Sequence, residues 1–162
     1  FNERSMIRLL GDMRAYNYVV IPTHDFDKVI YQIRAIDFDQ QSFEGKLMVY
    51  RPQFFTENYP RISVVTDKLS TDSIIQYKIE ERSILAKRIL SAGKRLNKLM
   101  KIMNVDRVSK PENIENLSKE LYKFTKDDAF QTCTRMGEVM HASFSFVLRN
   151  YKNMNLTNLM KS

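Results

Sequence analysis

The 162-residue sequence is sparing with cysteine, glycine and proline, with one, four and four of them. The single cysteine, Cys133, excludes an internal disulfide framework and a cysteine-based zinc cluster, so a reducing compartment is expected. Two isolated histidines, His24 and His141, do not make a zinc site either. No apolar run approaches the roughly 20 residues needed to span a bilayer, and no signal-peptide pattern opens the chain; a cytoplasmic location is expected. Internal repeats and low-complexity tracts are also missing, which favours one globular domain. Acid is in deficit: 26 Lys and Arg against 19 Asp and Glu leave a formal charge of +7. An anionic partner is favoured, whether nucleotide phosphates, nucleic acid or an anionic surface.

What is present begins with a short apolar lead-in over residues 5–10 and a run of β-branched and aromatic residues, Tyr18-Val19-Val20-Ile21, stopped by Pro22. That run reads as a strand, residues 23–28 as a turn with His24 in it, and residues 29–36 as a second strand, making a hairpin. Residues 40–50 read as an extended loop, and 52–58 as a short helix that ends before Pro60. The rest reads as helical. Ser70-Thr71-Asp72 offers caps for a long pattern through Ile74, Leu85, Leu96 and Met103, with Gly93 as a weak point or a break into two helices. Pro111 opens a helix carrying Ile114, Leu117, Leu121 and Phe124, and Asp127-Asp128 precede a last helix beginning near Phe130. The polar residues beyond Tyr151 read as a fraying tail. The expected fold class is α+β and mainly α: a short β-hairpin followed by a helical bundle.

The residues that carry chemistry flank the hairpin. Gly11-Asp12-Met13-Arg14-Ala15-Tyr16-Asn17 precedes it and Ile36-Asp37-Phe38-Asp39 follows it. Phosphoryl transfer asks for few groups, because the rate comes from aligning the nucleophile and neutralising charge on the phosphoryl oxygens. Asp12 is placed to orient and deprotonate a hydroxyl. Arg14 offers a planar cation for a phosphate, and Asn17 with Asp37 supplies oxygen ligands of the kind Mg²⁺ prefers. Asp39 competes with Asp37 for the metal, and Asp37 is favoured because it directly follows the apolar strand. A hairpin fold would bring the two flanks together.

Asp12-x-Arg14-x-x-Asn17, a hairpin and Ile36-Asp37-Phe38 together resemble the catalytic loop and the Asp-Phe-Gly segment of the protein-kinase-like superfamily. The Gly11-Asp12 pair, without a preceding His-Arg, is more similar to small-molecule and atypical kinases. The resemblance implies Asp12 as catalytic base, Arg14 where a lysine is usual, Asn17 and Asp37 as metal ligands, and ATP and Mg²⁺ as cofactors. It implies a single carboxy-terminal lobe over residues 1–162, with the catalytic loop, hairpin and metal segment in 1–50 and a helical subdomain in 51–162. The family's glycine-rich loop and lysine-bearing strand have no counterpart here. The amino-terminal lobe is therefore expected in a longer parent, with this piece inactive alone and a hydroxyl acceptor that the sequence does not name.

Other signals have plainer readings. Lys87, Arg88, Lys94, Arg95, Lys98 and Lys101 read as a solvated helix face; the rival is a helical module that docks on nucleic acid or an acidic protein. A third possibility is a pseudokinase-like scaffold. Cys133 and His141 are expected on helices, the first buried, the second in the core or at an interface. Met100, Met103, Met136 and Met140 read as core filling.

Overall fold

A computed structural model describes residues 1–105 and 108–159, with side chains described as far as residue 153. A short helix, α1 (Asn2–Ile7), leads into an irregular loop and an antiparallel hairpin of β1 (Tyr18–Asp25) and β2 (Lys28–Ala35). Three successive 3-10 turns at Leu47–Tyr50, Pro52–Phe54 and Thr56–Asn58 follow. Helices α2 (Tyr59–Thr66), α3 (Thr71–Val105), α4 (Pro111–Thr125) and α5 (Met136–Leu159) complete the described chain. The described residues are thus α+β and mainly helical, with one hairpin between the short α1 and the later helices.

Helix α1 ends in a Schellman motif. The Leu10 amide donates to Ser5 O and the Leu9 amide to Met6 O, which places Leu9 in the left-handed conformation at φ 49°. Glycine is the usual residue there. Leucine is kept because its side chain is fully buried in the core, and a Leu side chain's burial stabilises by about 1.5–3 kcal/mol, more than the conformation costs. The next orphan carbonyl, Ile7 O, accepts from Ser143 Oγ of α5 at 2.8 Å, a buried bond between residues 136 apart in sequence. Ser143→Ala should therefore cost about 1–3 kcal/mol in urea unfolding, since it strands that carbonyl away from water.

Around this anchor the core collects α3, α4 and α5. Ile114, Leu117 and Leu121 of α4 lie on one stripe and are buried, as their spacing predicts, while Phe124 is half exposed beneath the Arg51 guanidinium. Met100, Met136 and Met140 are buried and Met103 packs against them, so the methionines do fill core.

Several local expectations need correction. Strand β1 does not stop at Pro22 but runs to Asp25, and His24 sits in it, paired with Val29. The Ile36 amide donates to Asn17 O, which marks Asn17 and Ile36 as a hydrogen-bonded pair. Alternation along the ladder then makes Pro22 and Tyr31 a non-bonded pair, so the missing Pro22 N–H is not needed. The turn contracts to Phe26-Asp27, with Phe26 at φ 49° and almost fully exposed. Pro60 opens α2 rather than ending a helix over 52–58, because proline suits a first turn whose N–H groups lack partners anyway.

Ser70 Oγ accepts from the Ser73 amide and starts α3 as expected. At Gly93 (φ 39°, ψ −117°) two helices meet at a kink that only glycine tolerates readily. The last helix starts at Met136 instead of near Phe130. Asp127 caps a separate 3-10 turn, and Glu138 Oε2 accepts from the Thr134 and Arg135 amides to cap α5. Its end lies at Leu159, so the chain does not leave the helix at Tyr151; residues 160–162 lie outside the described residues.

Candidate active site

The loop between α1 and β1 is held from three directions. The Asp12 amide donates to Val49 O at 3.1 Å. Asn58, buried at 2 % exposure, donates through Nδ2 to Met13 O and Pro52 O and accepts from the Tyr18 hydroxyl at 3.0 Å. On the third side the segment after the hairpin runs alongside: Ser42 N donates to Leu9 O, and Gln41 Nε2 donates to Arg8 O. Gly11 is flush against that segment. A Cβ on it would lie 2.4 Å from Gln40 O, so glycine is required by close approach of two backbones. This brings the two flanks of the hairpin side by side, clamped by Asn17 O with Ile36 N at one end and Leu9 O with Ser42 N at the other.

Within the loop the side chains interlock. Asp12 adopts φ 52°, a conformation aspartate tolerates better than most residues, and its side chain is 30 % exposed. Arg14 Nε donates to Asp12 Oδ1 at 2.7 Å. Asn17 Nδ2 donates to Asp12 O at 2.7 Å and to Asp12 Oδ2 at 3.3 Å. Both carboxylate oxygens are thus oriented, while each retains room to accept from a hydroxyl. Arg14 also reaches Glu57 at 3.3 Å and lies over the Phe55 ring. Its guanidinium is held above its ordinary range, first by the hydrogen bond to Asp12 and then by that residue's charge.

The aspartates beyond the hairpin are arranged differently. Asp37 is half-buried and folds back so that Oδ1 accepts from the Asp39 amide at 3.2 Å, whereas Asp39 is exposed. Among the described residues neither carboxylate bonds to Asp12, Arg14 or Asn17. The structure therefore links Asp12, Arg14 and Asn17 directly and joins Asp37 and Asp39 to them through the backbone clamp.

No family model, curated protein or solved structure matches this chain. What the site can hold follows from its own donors. Asn17 is buried with its amide hydrogens turned to Asp12, and among the described residues its Oδ1 accepts no hydrogen bond. Carboxamide and carboxylate oxygens are the donor set that a small hard cation takes. Among the described residues there is no group of three or more His, Cys, Asp or Glu side chains able to hold a metal, so an ion here would depend on Asn17 and would complete its shell with water or phosphate oxygens.

Sequence reasoning missed Asn58, Glu57 and the role of Phe55. No periodicity or motif marks them, because each acts across 40 or more residues on a loop that the sequence leaves unplaced. Two other expectations fail. Cys133 lies between the 3-10 turn and α5 rather than on a helix, and burial pushes its thiol up to about 11, unfit for a nucleophile. His141 is on α5 but exposed. The basic residues of α3 are exposed as expected, but the Gly93 kink divides Lys87 and Arg88 from the four that follow. Among the described residues, no helix is long and apolar enough to cross a membrane.

Proposed function

We propose that this chain is the catalytic lobe of a kinase-like phosphotransferase that moves a phosphoryl group from ATP to a hydroxyl acceptor. The observation that carries this reading is the oriented Asp12 carboxylate, fixed by Arg14 and Asn17 beside the clamped Asp37 segment. Asp12 holds the acceptor hydroxyl by its proton, keeps the oxygen aimed at the phosphorus, and takes the proton as the bond forms. Arg14 has Nε on Asp12 and Nη1 on Glu57, which leaves Nη2 for a phosphoryl oxygen. Asn17 and Asp37, with Asp39 as the exposed alternative, would hold Mg²⁺, which when bound neutralises charge on the phosphate oxygens. The lobe that would cover the nucleotide is proposed to belong to a longer parent.

Manganese is a paramagnetic stand-in for Mg²⁺. With ATP and Mn²⁺ added to the ¹⁵N-labelled chain, amide signals of residues 12, 17, 36 and 37 should broaden first, and Asp37→Ala should abolish the effect. Broadening centred elsewhere, or unchanged in Asp37→Ala and Asn17→Leu, would remove the reading.

A further inference from the structure

A cleft of about 690 Å³ opens between α1, β2 and α3, and Asp12 is not among the residues that line it. Arg4, Arg8, Arg34 and Arg88 line it, and Glu81 is its one carboxylate. Glu81 is already engaged, accepting from Arg4 Nε at 2.7 Å. Among the described residues Arg8, Arg34 and Arg88 form no ion pair. The Arg8 guanidinium is held below its ordinary range, first by burial and then by the charges of Arg4 and Arg88. Arg8, half-buried, thus faces the like charges of Arg4 and the exposed Arg88, a cost that a bound anion removes.

The same cleft exposes the edge of β2. Residues 30–35 line it without a gap, which side chains alternating between two faces cannot do; the backbone itself borders the space. The phase of the ladder agrees. With Asn17 and Ile36 a bonded pair, Tyr31, Ile33 and Ala35 belong to non-bonded pairs and turn their N–H and C=O groups away from β1. Arg4 Nη1 reaches Ile33 O from this side at 3.5 Å. Apart from that long contact, which an added strand would displace, the edge is a template for another strand, and a two-stranded hairpin is marginal without one.

We propose that this cleft binds an extended acidic peptide segment of a partner protein, which adds a third strand to the β2 edge and sets its carboxylates against Arg8, Arg34 and Arg88. Nucleic acid could satisfy the charge but not the strand edge. A second copy of this chain, itself at +7, would meet its own repulsion. Main-chain hydrogen bonds would supply affinity and the arginines would select for acid, the division of labour in strand addition.

The test is fluorescence anisotropy of a labelled octapeptide of alternating Glu and Val added to the 162-residue chain. Saturable binding is expected, weakened about tenfold or more by Arg8→Gln combined with Arg88→Gln, as for loss of one charge-assisted hydrogen bond. Two further peptides carry N-methyl groups on alternate amides in opposite phases. One phase should lose binding and the other keep it, a contrast independent of how any protein variant folds. Amide exchange at Tyr31 and Ile33 should slow on binding. Equal binding of both methylated peptides would overturn the proposal, as would tripolyphosphate or duplex DNA competing fully with no protection of those amides by the peptide.

Discussion

Alanine at position 11 is expected to destabilise the protein by about 3 kcal/mol or more, because the methyl group would sit inside contact distance of a backbone carbonyl that cannot rotate away. The ideal Cβ lies 2.4 Å from Gln40 O, 2.9 Å from Gln40 Cβ and 3.1 Å from Gln40 C. Relief requires the Asp12 loop and the post-hairpin segment to part, which would also break the Leu9–Ser42 and Arg8–Gln41 bonds. For a chain of this length the loss corresponds to a fall in melting temperature of roughly 6–12 °C. Thermal unfolding followed by circular dichroism measures it, and a fall under about 2 °C would mean that the two backbones are not in contact. If the metal site is as proposed, the Mn²⁺ effect at Asn17 and Asp37 should weaken in the same variant at temperatures where it remains folded.

If Asp12 is the base proposed above, removing its carboxylate should lower ADP release from ATP by the proposed longer parent by about 10²–10⁴-fold, the usual contribution of a positioned general base. Two substitutions separate chemistry from folding. Asp12→Ala puts a side chain with no local hydrogen bond at φ 52° and should lose stability as well as rate. Asp12→Asn tolerates that conformation and retains an acceptor for Arg14 Nε; it gives up the ion pair and the 3.3 Å bond from Asn17 Nδ2, so it should lose some stability, less than Asp12→Ala, with the same fall in rate. Turnover within a few-fold of the original in Asp12→Asn would place the base elsewhere. Arg14→Lys should have a smaller effect, since an ammonium can meet Asp12 or Glu57 but lacks the planar fork that meets both.

That Asp12, Arg14 and Asn17 share one loop was legible because they lie within six residues; that they bond to one another was not, since the residue types by themselves turn Asn17 toward Asp37 and Arg14 toward a phosphate. The hairpin was legible for the same reason, in a run of β-branched residues on either side of a turn. Its details were less so. Pro22 reads as a stop in any one-strand view, and only the phase of the ladder shows that its missing N–H points outward. The stripe Ile114, Leu117 and Leu121 announced its buried face through spacing, whereas Phe124 continues that spacing and is half exposed, because Arg51 covers it instead of the core. Asn58 gave no signal. Its importance comes from two carbonyls and a hydroxyl that chain topology delivers to it.

From residue types and spacing alone follow the mainly helical class with one hairpin, the break at Gly93, and the placing of Asp12, Arg14 and Asn17 in one loop ahead of the hairpin; their bonds to one another came from the structure. These depend on backbone preferences and on neighbours a few residues apart. Tertiary structure decided the rest: that Gly11 lies against Gln40, that Asn58 braces the loop, that Ser143 closes the end of α1, and that Arg4 of α1, Arg8 just after it, Arg34 of β2 and Arg88 of α3 line one cleft beside a strand edge. Each joins segments whose separation in sequence carries no information about their distance in space. Close packing of the core sets that distance, and no local pattern encodes it.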